Sequence, residues 1–274
     1  THDSLREVNL PAWQGLPFKQ VREQFAADYR CWQERPHEFQ MAVQSNFSGT
    51  GTVAMMHQSI TFPVQDLYQQ ARHFWQEILP QHSGETIAIV SHGGTIRALI
   101  STAIGMGCEH FHALQQSNCG MSILEFCTPL AQPLQAQLTA MNQTTHLGEV
   151  LPKLKNGKLG LRLLLVPTDA KAIAPIKIRL EQVPLNFCLT SEAETAQAIA
   201  TELLPSRPQP IAHLPIADVD FLQTWHGSIR CQRQKCSDLC TGLVVAESAQ
   251  IERLLKRVLG LPDGTSPPAI APTG

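Results

Sequence analysis

Charge is scarce in this chain. Asp, Glu, Lys and Arg make up 16% of its 274 residues and nearly cancel, leaving a formal charge of -2. Such a balance offers no basic field to a nucleic-acid backbone and no acidic block that would form a solvated tail. Long apolar runs are absent too. No stretch reaches the roughly 18 residues that a membrane-crossing helix needs, and the opening THDSLREVNL lacks the basic-then-apolar order of a secretory signal. These absences predict a cytoplasmic protein with no membrane and no nucleic-acid partner, acting on a small molecule, with a homo-oligomer left open. Paired cysteines are missing as well. The eight cysteines are scattered, and the one cluster, Cys231, Cys236 and Cys240 in CQRQKCSDLC, has neither the spacing of a zinc knuckle nor a following histidine. No metal site is expected there.

What the chain does carry is an alternation of helix and strand patterns. Pro17 to Trp32 spaces Phe18, Val21, Phe25 and Tyr29 three and four residues apart, as on one helix face. A second helix is predicted from Val64 to Leu79, stopped by Pro80, while FSGTGTVAMMHQSITF between the two reads as loop. ETIAIV, residues 85–90, predicts a short buried strand, followed by a helix over 95–104 and another strand over 121–126. Polar, glycine and lysine residues over 141–160 mark a boundary. Beyond it, LRLLLV at 161–166 predicts a strand, and 191–204 a helix capped by Ser191 with Glu194 three positions on. Buried strands feeding helices indicate an α/β fold with a mostly parallel sheet.

A repeat lies inside this pattern. TIAIVSHGGTIRALISTAIGM, Thr86 to Met106, aligns without a gap on TGLVVAESAQIERLLKRVLGL, Thr241 to Leu261, at an offset of 155 residues. Apolar positions match: Ile89 with Val244, Leu99 with Leu254, Ile104 with Leu259, and Gly105 with Gly260. The polar positions do not, because His92 aligns with Glu247 and Arg97 with Glu252. One copy keeps ligand chemistry on a scaffold that the other retains without it.

The chemistry centres on IVSHGGTIR. A helix starting after SHGG presents unpaired N–H groups and a positive dipole end, which together suit an anion. An imidazole at that point adds a hydrogen bond and can become positive in a strongly anionic pocket. A serine-hydrolase turn around Ser91 does not fit, since that motif needs glycine two positions before the serine, where Ile89 directly precedes Val90 and Ser91. Glu7 in LREVNLPAWQG is a second candidate: partial burial among Leu5, Val8 and Leu10 would suit an acid that protonates a leaving oxygen.

LREVNLPAWQG, IAIVSHGGTIRAL and QSNCGMSILEF, in that order, resemble the histidine phosphatase superfamily, also called phosphoglycerate mutase-like. The likeness runs from Leu5 to Phe126 and looks closest to a cyanobacterial and plant subgroup with tandem copies. It implies a three-layer α/β/α sandwich with a mostly parallel sheet, here in two related copies. Residues 1–145 would form the phosphatase-like domain, 146–160 a linker, 161–262 a degenerate copy and 263–274 a disordered tail. The implied activity is hydrolysis of a small phosphorylated metabolite through a phosphohistidine, with no cofactor and no metal. Phosphoglycerate mutase action and non-catalytic phosphate binding are the alternatives. By resemblance, Glu7 matches the proton donor and His92 the second histidine of the phosphate pocket, with Gly93 and Asn118 lining it. The family's Arg-His-Gly nucleophile motif does not occur in this sequence. The resemblance therefore implies a chain without its first strand and nucleophile motif, and little activity for these 274 residues by themselves.

Overall fold

The structure, a computed structural model, describes residues 1–45, 57–127, 134, 136–149, 151–152, 161–170, 173–204, 212–216 and 240–261. Its contacts define two compact units, one built mainly from 1–118 and 124–138, the other mainly from 139–258. Among the described residues no helix is long and apolar enough to cross a membrane. The tail over 263–274, with Cys231 and Cys236, lies outside the described residues, whereas Cys240 is buried in a strand.

In the first unit the helix expected over 17–32 is two helices, α1 (Phe18–Gln24) and α2 (Ala26–Glu34). They break at Phe25, whose backbone (φ -120°, ψ 44°) leaves the helical region while its side chain packs on the core. The next helix, α3 (Pro63–Ile78), follows its sequence pattern closely. Val64, Leu67, Tyr68, Ala71, Phe74 and Trp75 are all buried, the three-and-four spacing of one apolar stripe. Pro80 falls in the short 3-10 turn Leu79–His82 that ends it, where its missing N–H cannot continue the helical ladder. Ahead of α3, β1 (Met41–Ser45) and β2 (His57–Thr61) pair antiparallel with Met41 opposite Thr61. β2 lies in the stretch read as loop, because HQSIT offers one strongly apolar residue, Ile60, and that residue points outward at 63% exposure. The rest of that stretch, 46–56, lies outside the described residues.

The helix expected over 95–104 is α4 (Gly93–Ala103). Ala98, Leu99, Ile100 and Ala103 are buried, and the Trp75 indole N–H of α3 donates to the Leu99 carbonyl at 3.0 Å. Around it, Trp13, Trp32, Phe39 and Phe111 form an aromatic core, with the Trp13 and Phe39 ring centres 5.0 Å apart. The buried strand expected at 85–90 is not found. Those residues join no ladder among the described strands; Ile89 packs against the core, but Val90 is 90% exposed. The apolar run was a signal for burial on two faces, and only one face is covered. Val90→Asp is therefore expected to change stability by less than about 0.5 kcal/mol, as at other exposed sites. Thermal unfolding checks this, and a loss of several degrees in Tm would contradict it. Two further strands, β3 (Met121–Glu125) and β4 (Gln137–Gln143), form a two-stranded sheet.

The second unit holds a four-stranded sheet in which β5 (Leu161–Pro167), β6 (Phe187–Ser191), β7 (Ala212–Ile216) and β8 (Cys240–Ala246) lie in the order β5-β8-β6-β7. Every pair in it is parallel. Alternation along β8 divides the core: Val244 and Ala246 face α7 (Ser248–Leu259) through Ile251 and Leu254. Leu243 and Val245 face the other way, toward α5 (Ile173–Glu181) and α6 (Glu194–Leu203) through Leu180, Ala196 and Ala200. Helices thus cover both faces of a buried parallel sheet, as the continuous apolar strands require. The three-layer, mostly parallel expectation describes this unit. The described strands outside this sheet, by contrast, form only two-stranded pairs. Ser191 is also not the cap of α6. It belongs to β6, the cap is Ala193, and the Ser191 hydroxyl donates instead to Glu247 Oε1 at 3.1 Å.

The repeat survives in three dimensions where the helices are concerned. α4 begins at Gly93 and α7 at Ser248, the aligned positions, and each helix is followed by an aligned glycine at positive φ, Gly105 at 75° and Gly260 at 62°. The strands differ: all seven residues of β8 are buried, whereas the aligned segment before α4 is largely exposed.

Candidate active site

The segment Leu5-Arg6-Glu7 is stitched to the start of α4 by groups far away in sequence. Ser91 Oγ donates to the Leu5 carbonyl and Thr95 Oγ1 to the Arg6 carbonyl, each at 2.6 Å. Ser91 is thus a tether. Gln70 on α3 adds a bond from its side-chain amide to the Ser4 carbonyl at 2.8 Å. Between these ties the Glu7 carboxylate meets the helix: Oε2 accepts the Gly94 N–H at 3.3 Å, and Oε1 accepts the Val8 N–H at 2.9 Å. The burial expected around Glu7 is absent, since its side chain is exposed. What locates the carboxylate is the pair of N–H donors.

The two glycines have separate roles. A Cβ on Gly94 would collide with Glu7 Oε1 and come within 3.2 Å of Glu7 Cδ, so glycine is what lets the carboxylate approach the helix end. A Cβ on Gly93 would meet nothing within 4 Å, which leaves open space at the first position of α4. His92 is the N-cap residue, with extended backbone (φ -85°, ψ 159°), and its carbonyl accepts the first helical N–H, from Ile96, at 2.9 Å. Its exposed imidazole makes no capping bond. The start of α4 thus offers helix-terminal N–H groups and a positive dipole end, with a carboxylate beside it and an exposed imidazole at its N-cap.

The aligned start of α7 is closed. Gln250 Oε1 accepts the Glu247 N–H at 3.3 Å, the reciprocal arm of a capping box, and Ser191 holds the Glu247 side chain. A carboxylate at that position also repels an anionic ligand. Of the other residues singled out by sequence, Asn118 lies exposed in a turn before Cys119, and no contact joins it to Glu7 or His92 among the described residues. His2 is held on α3: its ring stands edge-on to Phe74 with centres 5.0 Å apart, Nδ1 accepts the Ser4 N–H at 3.2 Å, and Nε2 lies 3.2 Å from the Glu77 carboxylate.

The repeat alignment set Arg97 against Glu252 but gave it no part in the site. Arg97, one turn into α4, is 8% exposed, its Nε has no hydrogen-bond partner, and its guanidinium lies over the Phe111 ring at 5.5 Å. Burial pulls its pKa down from the ordinary arginine value, while the Glu7 carboxylate and the Tyr68 phenol act in the opposite direction. The signal was present as spacing, since Arg97 follows Gly93 and Gly94 by four and three residues, but a buried arginine cannot be told from a surface one by pattern alone.

Comparison with known proteins bears on the same segment. Residues 1–132 match the model of the histidine phosphatase superfamily, branch 1. Among relatives, a probable 2-carboxy-D-arabinitol-1-phosphatase of Arabidopsis thaliana is 38% identical over 122 residues, covering 44% of this chain and 22% of the relative. The 2-carboxy-D-arabinitol-1-phosphatase of Triticum aestivum is 34% identical over 141 residues, 51% of this chain and 25% of the relative. Phosphoserine phosphatase 1 of Hydrogenobacter thermophilus is 24% identical over 147 residues, 54% of this chain and 59% of the relative. The chain thus aligns with about a quarter or less of each plant protein. The histidine phosphatase match starts at residue 1 and takes in His2. A histidine is therefore present ahead of Leu5-Arg6-Glu7, where a chain without the nucleophile motif was expected, although it does not stand in an Arg-His-Gly triplet.

Proposed function

We propose that this chain belongs to a phosphomonoester hydrolase of the histidine phosphatase type, in which the start of α4 receives the phosphate of a small phosphorylated metabolite and Glu7 serves as proton donor. The observation that carries this reading is the Gly94 N–H to Glu7 carboxylate bond, which sets an acid directly beside an open helix N-terminus. An incoming phosphate competes for that N–H and places negative charge next to the carboxyl, the condition under which it holds a proton for a leaving oxygen. His92 and the helix N–H groups then stabilise the transferring oxygens without rearranging. The plant relatives' names favour a phosphorylated sugar acid as substrate, and the bacterial relative's name a phosphorylated amino acid.

A panel of sugar-acid phosphates, sugar phosphates and phosphoserine, assayed for phosphate release by the native protein, tests the reading. Turnover of at least one class, inhibited competitively by inorganic phosphate, is expected. A second reading is a phosphate-binding protein without turnover. It predicts competition between phosphate and the panel compounds for binding, with no phosphate released.

A further inference from the structure

Among the described residues the Arg97 side chain has no ion-pair partner, and helix geometry favours one direction for it. Side chains on a helix tilt back toward its N-terminus, so residue i covers the surface of residues i-3 and i-4. For Arg97 those residues are Gly94 and Gly93, in the first turn of α4. Arg97 is 8% exposed, with its guanidinium over Phe111 and Nε unpartnered, and it feels the Glu7 carboxylate electrostatically without forming a salt bridge to it. A desolvated guanidinium keeps its charge, and in a low-dielectric setting that charge acts strongly on whatever occupies the helix end. A merely structural role would pair it with a carboxylate, the arrangement that buried charges ordinarily require.

We propose that Arg97 is a positioning residue for phosphate: a fixed cation beneath the first turn of α4 that supplies the charge complement for a phosphate dianion bound there. The inference rests on the reading of that helix end as the phosphate site. In the second copy the aligned residue is Glu252, so the charge is lost together with the histidine.

Binding of inorganic phosphate to the full chain, measured by calorimetry, tests the proposal. Arg97→Gln is expected to weaken binding about tenfold or more, the size of a lost charge-assisted contact. Arg97→Lys, which keeps the charge, should stay within about threefold of the wild type. Should the glutamine variant fail to fold, NMR of the wild-type chain decides the matter. The Arg97 Nε–H resonance should shift on phosphate titration together with the Gly94 amide. A moving Gly94 amide with an unmoved Arg97 resonance, or an Arg97→Gln variant that binds as the wild type does, overturns the role of Arg97 and leaves the site reading intact. If neither resonance moves, both fail.

Discussion

Replacing Glu7 with glutamine is expected to lower kcat for a phosphomonoester at least about 100-fold, the usual scale of a lost general acid, with little change in KM. The same substitution should tighten binding of inorganic phosphate. The two effects have opposite signs for one physical reason. Glu7 occupies the Gly94 N–H when the site is empty, and its negative charge opposes an anion at that helix end. Removing the charge helps the product bind while abolishing the proton that the leaving oxygen needs. The side chain is exposed, so the substitution should leave the unfolding midpoint close to that of the wild type. Kinetics and phosphate titration of the one variant check both signs. Loss of turnover together with weaker phosphate binding and a lowered Tm would indicate that Glu7 matters only for structure.

The second large effect concerns the other unit. Gly242 lies in β8, the strand flanked on both sides by parallel partners, opposite Leu163 of β5 and Phe187 of β6. A Cβ there would drive into the Phe187 ring, meeting Cζ and Cε2 and coming within 2.9 Å of Cε1. Phe187 is 1% exposed and packed among Leu189, Val244 and Ile251, so the ring cannot swing away into solvent. Gly242→Ala should therefore destabilise the second unit by about 1–3 kcal/mol, the range for overpacking a core. A two-transition unfolding curve in which only one transition shifts would localise the effect. Unchanged stability would mean that the ring has more room than its packing shows.

How far such features could be read from sequence depends on the range over which they are determined. The apolar stripe of α3 is local, and it gave the correct helix within a residue at each end. The start of α4 and its aligned counterpart α7 were legible as a repeat, because apolar spacing and a terminal glycine are local properties as well. Burial was not. The run at 85–90 reads as a core strand, yet Val90 faces solvent because burial depends on which other strands arrive beside it. β2 was missed for the converse reason: its ladder with β1 is made by the backbone, and HQSIT shows no apolar alternation. Ser191 read as a helix cap, but its hydroxyl found Glu247, 56 residues further along the chain. At the site, Glu7 and His92 were identified through the likeness of their motifs, whereas the contact between Glu7 and Gly94 spans 87 residues and no local pattern encodes it. Arg97 was hidden for the same reason, since only Phe111 and the packing around it make it a buried cation.

A crystal of the chain soaked in inorganic phosphate tests the central claim most directly. The account predicts a phosphate at the N-terminus of α4, accepting hydrogen bonds from the Gly93 and Gly94 amides and from the His92 ring, with Glu7 displaced from the Gly94 N–H. A phosphate bound elsewhere, with Glu7 still on Gly94 and the helix end empty, would contradict it.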